Sequence, residues 1–170
     1  KKKKNSAAAA VTTGDKNTVA GAFAFDESTV DAQSNTAMGY AALSAAAVNE
    51  NTAIGAKALN VFTGSNATAV GSGAADAAIS QTNLTAIGAG ALGAATSGNN
   101  CTAVGKNALG TTVDGAANTA VGVGALAADC GDDNTAVGRG ALDVFTGSNA
   151  TAVGSGAADA LTTGVFIFFF

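Results

Sequence analysis

The sequence predicts an all-β fold, a parallel β-solenoid built from coils of 16 to 18 residues. Nine variants of one phrase, Asn-Thr-Ala-Val-Gly-x-x-Ala-Leu, follow one another along the 170 residues. Their glycines recur at spacings of 18, 16, 16, 17, 17, 17, 16 and 16 residues. A repeat this short cannot bury a core of its own, so each coil must stack on its neighbours. The glycines are Gly21, Gly39, Gly55, Gly71, Gly88, Gly105, Gly122, Gly138 and Gly154.

Composition supports a thin structure with a largely neutral surface. The chain has 23 Gly, no Pro and no Trp, and such small side chains cannot fill a thick core at normal packing density. Only 12% of residues are charged, against roughly a quarter in a typical soluble domain. Much of the surface must therefore be neutral or covered by another chain. Beyond Lys1 to Lys4 there are four basic and twelve acidic side chains, which disfavours nucleic-acid binding.

The three residues before each glycine predict a short strand. Thr stands three residues before all nine glycines, and Val, Ile or Met stands immediately before eight of them. Successive strand residues point to opposite faces, so Thr and Val share one face and the intervening Ala takes the other. We expect the β-branched face to form a narrow Val/Ile/Leu core. Representative members are Thr36, Thr52, Thr68, Ile54, Val70, Val104 and Val137.

The Ala residues in the middle of these strands predict self-association. A strand that is apolar on both sides is usually buried on both sides. Ala37, Ala53, Ala69 and their equivalents are therefore expected to pack against sister chains. The alternative is a column of Ala residues that tolerates solvent.

The segment after each glycine predicts a second strand and then a loop. Ala follows three residues after every glycine, as in Ala42, Ala58 and Ala108, and Leu usually comes next. We expect this pair to return an apolar side to the same core. Glycine provides a φ > 0 turn or a close approach of two backbones. An Asn opens each copy, as in Asn35, Asn51 and Asn134, and the Asn column is expected to hydrogen-bond along the stack.

A helical-repeat array is the alternative fold. It is disfavoured because Asn-Thr and Gly recur too often to leave room for a stable helix. The predicted organisation is an N-terminal extension of uncertain structure at residues 1–13, a nine-coil solenoid at 14–164 and an apolar end at 165–170. The apolar run at residues 7–11 is shorter than the roughly 7 to 15 residues of a signal-peptide core.

The sequence offers no catalytic, cofactor or metal site. It has no His, which removes the commonest general base and metal ligand. Gly88 to Gly93 match G-x-G-x-x-G but lack the βαβ context of a dinucleotide site. Asp129, Asp132 and Asp133 could hold Ca²⁺, but a solvated acidic loop is the favoured interpretation. We therefore predict a protein that is not an enzyme, with no cofactor.

The two cysteines and the four glycosylation sequons are not expected to form special sites. Cys101 and Cys130 lie two coils apart, about 10 Å along the stack, too far for a disulfide. Four Asn-x-Thr glycosylation sequons are explained by the Asn-x-Thr variant of the repeat itself. Any Asn that faces inward would be inaccessible to glycosylation. They begin at Asn66, Asn83, Asn100 and Asn149.

The repeats resemble those of phage and viral tail-fibre proteins and related bacterial surface proteins. They are also similar to the head repeats of trimeric autotransporter adhesins, whose Ala-Ile-Gly-x-x-Ala matches residues 53–58. The resemblance covers residues 14–164 and implies a left-handed parallel β-roll in which three chains form one rod used in attachment. The coils are longer than adhesin-head repeats, and no neck, coiled-coil stalk, anchor or self-cleaving domain accompanies them. The chain is accordingly expected to be the shaft of a longer product or a separately assembled filament unit.

An internal duplication indicates selection for the length of the stack and not for one unique site. Residues 58–77 and 141–160 differ only at Asn60 and Asp143, and they are offset by 83 residues, or five coils. The predicted function is an extracellular structural fibre of a virion or cell surface. Its partners would be itself, as a homotrimer and possibly an end-to-end filament, and a host receptor or glycan. Nucleic-acid binding and membrane insertion are not expected.

Two other functions remain as alternatives. The first is an adhesin module that recognises glycan or protein through its loops, with Phe62, Phe145 and Tyr40 either contacting a receptor or filling a seam between chains. The second is an ice-binding solenoid that uses the Thr column. This is the less favoured alternative, because Thr shares its face with the Val and Ile expected in the core.

Overall fold

The chain forms a single stack of short parallel strands in a computed structural model. The structure describes residues 14–27, 32–46 and 48–164, together with the backbone of residues 167–169. Each repeat contributes one strand, and a final strand closes the series. The strands are β1 Thr18–Ala20, β2 Thr36–Met38, β3 Thr52–Ile54, β4 Thr68–Val70, β5 Thr85–Ile87, β6 Thr102–Val104, β7 Thr119–Val121, β8 Thr135–Val137, β9 Ala150–Val153 and β10 Ile167–Phe169.

The strands form one sheet in chain order, each parallel to the next. Residues at equivalent positions of neighbouring repeats pair with each other, from Thr18 with Thr36 to Thr135 with Thr151. The predicted all-β parallel β-solenoid is therefore confirmed. The last pairing departs from the pattern, because Phe168 of β10 stands opposite Thr151.

The interior of the stack is lined by the Ala face of the strands. Ala53 and Ala86 are completely buried within one chain, whereas Ile54 and Ile87 keep 37% and 40% of their surface exposed. The prediction that Val and Ile form the core, with Ala packed on sister chains, is wrong. Side-chain volume determines which face of the strand is buried. The two walls of a coil approach so closely that Ala fits between them and a β-branched side chain does not.

The opposite wall of each coil is an arch of turns, where a second strand was expected. Ala42 and Leu43 are both completely buried, which successive residues of one extended strand cannot achieve. Both side chains point inward because Leu43 has a left-handed backbone conformation, with φ of 49°. Backbone hydrogen bonds still join neighbouring arches, such as Leu43 N–H to the Ala58 oxygen at 2.9 Å.

Large side chains fill the wider parts of the interior. Phe62 and Phe145, at matching positions of the duplicated segments, are completely buried and so provide neither a receptor contact nor a seam between chains. The Leu residues of the arches complete the core. Within the described residues no helix is long and apolar enough to cross a membrane.

Candidate functional site: the outward face

The outward face is the flat side of the sheet that carries the Thr column and the adjoining Val/Ile column. Its Thr residues are half-buried from coil to coil, apart from the exposed Thr18. Beside them Met38, Ile54, Ile87 and Val153 are exposed by 43%, 37%, 40% and 38%. The predicted repeat residues Thr36, Thr52, Thr68, Ile54, Val70, Val104 and Val137 all belong to this face. Hydroxyl and methyl groups therefore alternate across it in regular rows.

The glycine column holds neighbouring coils at close approach. Gly88 has φ of 136°, which side chains rarely adopt, and a Cβ added there would lie 2.5 Å from the carbonyl oxygen of Gly105. The same backbone contact recurs at the glycines before and after it, so the prediction of aligned glycines is confirmed. The aligned positions are Gly21, Gly39, Gly55, Gly71, Gly88, Gly105, Gly122, Gly138 and Gly154. This contact fixes the spacing of the outward rows.

The predicted Asn column is in fact two columns. Where Asn immediately precedes Thr it points inward, and Asn51 and Asn134 are completely buried, although Asn17 of the first coil is half-buried. Asn51 Oδ1 accepts the Ala67 N–H at 3.0 Å, and its Nδ2 donates to the Gly64 oxygen at 2.9 Å. Asn35 is placed in the same way, with Oδ1 accepting the Asn51 N–H at 3.0 Å. The expectation of hydrogen bonds along the stack is confirmed for this set.

The Asn residues of the four sequons lie one residue earlier, outside the core. Asn66, Asn83, Asn100 and Asn149 are exposed, with φ between 56° and 60°. Ala67, Leu84, Cys101 and Ala150 take the inward position instead, so each coil keeps one buried side chain there. Asn tolerates the left-handed conformation better than most residues, which explains why the Asn-x-Thr form occurs.

The acidic loop supplies hydrogen-bond acceptors to neighbouring coils. Asp129 Oδ1 accepts the Val113 N–H, and Asp132 Oδ1 accepts the Ala116 N–H, each at 2.8 Å. The two carboxylates thus serve the stack, and the expectation of a merely solvated loop was incomplete. Among the described residues no group of three or more His, Cys, Asp or Glu side chains could hold a metal ion.

The two cysteines are unreactive interior groups. Cys101 and Cys130 are both buried free thiols. The pKa of each is raised, mainly because burial removes water from the thiolate. Hydrogen bonds with the backbone at Cys101, and the hydrogen bond between Thr112 Oγ1 and Cys130 Sγ at 3.4 Å, oppose that effect without overcoming it. A low thiol pKa, the requirement for a nucleophilic cysteine, is therefore absent at both.

The outward face carries the Thr and Val/Ile columns that were expected in the interior. The signal for it was the invariant Ala at the centre of each strand, since the tightest interior position demands the smallest side chain. A scan against models of protein families, a search of curated proteins and a search of solved structures found no match to this chain.

Proposed function

We propose that this chain is a non-enzymatic shaft: a structural segment of an extracellular fibre, on a virion or a cell surface, that supports attachment to a host. The observation that carries the proposal is the continuous strand pairing between equivalent repeat positions, from Thr18–Thr36 through Thr135–Thr151. Each coil is joined to the next in the same way, so adding coils adds length without changing the cross-section.

The mechanical properties follow from the ladder. With about 4.8 Å between neighbouring strands, the nine repeat strands span on the order of 40 Å. Hydrogen bonds join successive coils in the strand, at the glycine and in the arch, as at Gly105 N–H to the Ile87 oxygen at 2.7 Å. A stack bonded along all its walls resists bending, which suits a spacer between an anchor and a distal tip.

Self-association belongs to the same proposal, and the outward face is its surface. An apolar row that includes Met38, Ile54 and Ile87 is exposed along the stack, whereas monomers rarely leave extended apolar patches uncovered. The resemblance to adhesin heads favours three chains in a left-handed β-roll rod. The Ala face cannot serve, because it is buried inside each chain. Native mass measurement gives the stoichiometry.

Recognition through the loops is the weaker alternative. Phe62 and Phe145, which offered aromatic anchors for a receptor, are completely buried. Tyr40 remains 53% exposed, next to the outward face and in edge-to-face contact with Phe23 at 5.7 Å between ring centroids. A single aromatic pair between the first two coils does not make a repeated recognition surface.

The duplication provides a clean test of the shaft proposal. Deletion of residues 62–144 removes five coils and joins Val61 to Phe145, leaving residues 58–61 followed by the sequence that follows Val144 in the native chain. A shaft should fold, shorten by about 24 Å and keep its affinity for the target surface. Length is measured by electron microscopy or small-angle scattering, and affinity by binding to host cells. Loss of target binding by a folded, shortened protein would indicate a recognition module.

A second candidate function, ice binding, gains support from the orientation of the Thr column. The sequence made ice binding the less favoured alternative because Thr was expected on the core face, but Thr85 and Thr102 stand on the outward face in an in-register array. This function requires the face to be uncovered in solution. A monomer that shows thermal hysteresis would support it, whereas an oligomer without hysteresis favours the shaft.

A further inference from the structure

The position five residues before each column glycine forms an exposed corner of the stack, which we call the corner column. All nine of its residues are exposed and left-handed, with φ between 56° and 63°. Four of them are Asn, and the others include basic, acidic, hydroxyl and apolar side chains. The left-handed conformation therefore permits Asn at the corner but does not require it. The corner residues are Lys16, Ser34, Glu50, Asn66, Asn83, Asn100, Ala117, Asp133 and Asn149.

Each coil has Asn either at the corner or at the inward position that follows it, and never at both. An inward Asn such as Asn51 is followed at once by Thr, so it opens no glycosylation sequon. The inward amides are also occupied, as where Asn134 Nδ2 donates to the Gly147 oxygen at 3.0 Å. A corner Asn is followed by Thr two residues later, which completes a sequon. All four sequons of the repeats therefore have their Asn on the outside of the stack.

The stack does not need the side-chain amides of the corner Asn residues. In the described part of the chain, no side-chain hydrogen bond involves Asn66 or Asn149. Asn83 Nδ2 donates to Asn100 Oδ1 at 3.0 Å, but both side chains are exposed. An amide that carries one substituent on its nitrogen still has one N–H with which to make this bond. A substituent on these nitrogens therefore displaces no buried group.

Three of the four sequons lie in the part of the chain that has the least charge. Residues 58–105 contain one charged side chain, Asp76, whereas 12% of the whole chain is charged. This part also exposes apolar side chains, among them Val61 by 42% and Ile79 by 48%. An Asn-linked glycan is bulky and solubilising. Glycans here would supply the polar cover that charged side chains supply elsewhere in the chain.

We propose that the four corner Asn residues accept N-linked glycans from an oligosaccharyltransferase during export of the chain. The donor is an oligosaccharide carried on a polyprenyl diphosphate. Asn Nδ2 attacks C1 of the first sugar, a C1–N bond forms, and the C1–O bond to the diphosphate breaks. The Nδ2 proton passes to a base, and the lipid diphosphate leaves. The acceptors are Asn66, Asn83, Asn100 and Asn149.

The four sites differ in the room that they leave for a glycan. Asn66, Asn83 and Asn100 occupy successive coils, about 4.8 Å apart along the stack, so their glycans compete for space. Asn149 is isolated, because the preceding coil has Asp133 at its corner. We therefore expect the highest occupancy at Asn149.

Mass spectrometry of the full chain from its natural source tests the proposal directly. Intact masses should exceed the mass of the bare chain by that of one or more glycans. Treatment with peptide-N-glycosidase in H₂¹⁸O should then leave ¹⁸O-labelled Asp at the corner Asn residues, most of all at Asn149, and none at Asn51 or Asn134. A native chain without sugar at any of the four sites overturns the inference.

This inference rests on the export that an extracellular shaft requires, but the two proposals fail separately. A fibre on a virion or cell surface whose chains carry no sugar overturns the glycosylation and leaves the shaft intact. The five-coil deletion decides the shaft proposal whether or not the chain is glycosylated.

Matched variants of the full chain, secreted from a eukaryotic cell, test the role of each sequon position. Thr151→Val keeps a β-branched side chain but removes the hydroxyl group, so it should lose one glycan, whereas Thr151→Ser should keep it. Glu50→Asn completes a new sequon with Thr52 and should add one glycan. Glu50→Gln removes the same charge and should add none. Gel mobility before and after glycosidase treatment counts the glycans.

Urea unfolding of the secreted chain, with and without its sugar, shows whether the glycans sit outside the fold. Removal of the sugar should leave the far-UV circular dichroism unchanged, because the corner amides contact nothing buried. Equal mobility of the native chain and all four variants, with no shift on glycosidase treatment, overturns the inference. A loss of the folded spectrum in the glycosylated chain, restored on removal of the sugar, also overturns it, because the corner would then not accommodate a glycan.

Discussion

Gly88 and Gly105 lie in neighbouring coils with their backbones in contact, and a Cβ on Gly88 would stand 2.5 Å from the Gly105 carbonyl oxygen. Gly88→Ala should therefore destabilise the fold by at least about 3 kcal/mol, since it adds a steric clash to a φ of 136°. Urea unfolding followed by circular dichroism measures the change.

Gly140→Ala is the matched control for Gly88→Ala. Gly140 has φ of 64°, and a Cβ there would meet nothing within 4 Å. The substitution should lower the free energy of unfolding by about 1 to 2 kcal/mol, the cost of a left-handed conformation for Ala. Equal losses at Gly88 and Gly140 would mean that backbone contact between coils contributes nothing.

Ala41 occupies a left-handed position that is glycine in five other coils, so Ala41→Gly should stabilise the protein. Ala41 has φ of 52°, and the equivalent Gly73 and Gly90 both have φ of 65°. Relief of the left-handed strain should exceed the entropic cost of glycine and raise stability by about 0.5 to 1 kcal/mol. Ala56→Gly, at an exposed neighbouring position with ordinary φ, should lower it by a similar amount. Thermal melting compares the two, and a fall in Tm for Ala41→Gly would contradict the argument.

Asn134 joins its own coil to the next from inside the stack, so Asn134→Ala should be costly. Its Oδ1 accepts the Ala150 N–H at 2.9 Å, and its Nδ2 donates to the oxygens of Gly131 and Gly147, each at 3.0 Å. Loss of these buried bonds should cost about 2 to 4 kcal/mol. Asn149→Ala, at the exposed Asn of the next copy, should cost less than about 1 kcal/mol. Chemical unfolding of the two variants settles the comparison, and similar losses would contradict it.

Stability should fall at alkaline pH because of the two buried thiols. Burial raises the pKa of Cys101 and Cys130 in the folded chain above their ordinary value of 9.0. The folded state then binds more protons than the unfolded state between the two pKa values. Their contribution is complete below the ordinary pKa and is lost as pH rises towards the folded pKa, by up to about 1.4 kcal/mol per pH unit for each thiol.

Cys101→Ala/Cys130→Ala tests the assignment of this alkaline loss to the thiols. The double variant should unfold with a flatter dependence on pH above 8.5 than the native chain. Ala67 and Ala150 already occupy the position equivalent to Cys101 in other coils, so Ala fits that site. An unchanged slope in the variant would assign the alkaline loss to other groups.

The repeat period and register could be predicted from sequence, because pairing of Thr36 with Thr52 requires only that equal positions stack. The orientation of the strands could not be predicted from hydropathy. Ile54 is more apolar than Ala53, yet Ala53 is buried, because the width of the coil limits volume. That width depends on the arch, where Leu59 adopts φ of 50° against its intrinsic preference. A second strand was predicted at Ala58 and Leu59 to return apolar side chains to the core, but neighbouring strand residues point to opposite faces, so only a turn could bury both.

The split of the Asn column shows a second limit of sequence reasoning. Asn51 and Asn66 align when gaps are allowed, but a difference of one residue places one inside and the other outside. The sequence does carry the signal, since an apolar Ala67 fills the vacated inward position. Distance from the glycine, counted without gaps, is therefore the better guide to orientation in this stack.

The outward face gains one row with every coil, so the free energy of any contact made through it grows in proportion to coil number. The corresponding equilibrium constant grows exponentially with coil number, since each row multiplies it by the same factor. At a given concentration, chains with few coils remain monomeric, and chains beyond a threshold length associate almost completely. A gene that gains five coils by one duplication, as residues 58–77 and 141–160 record, can cross that threshold in a single step.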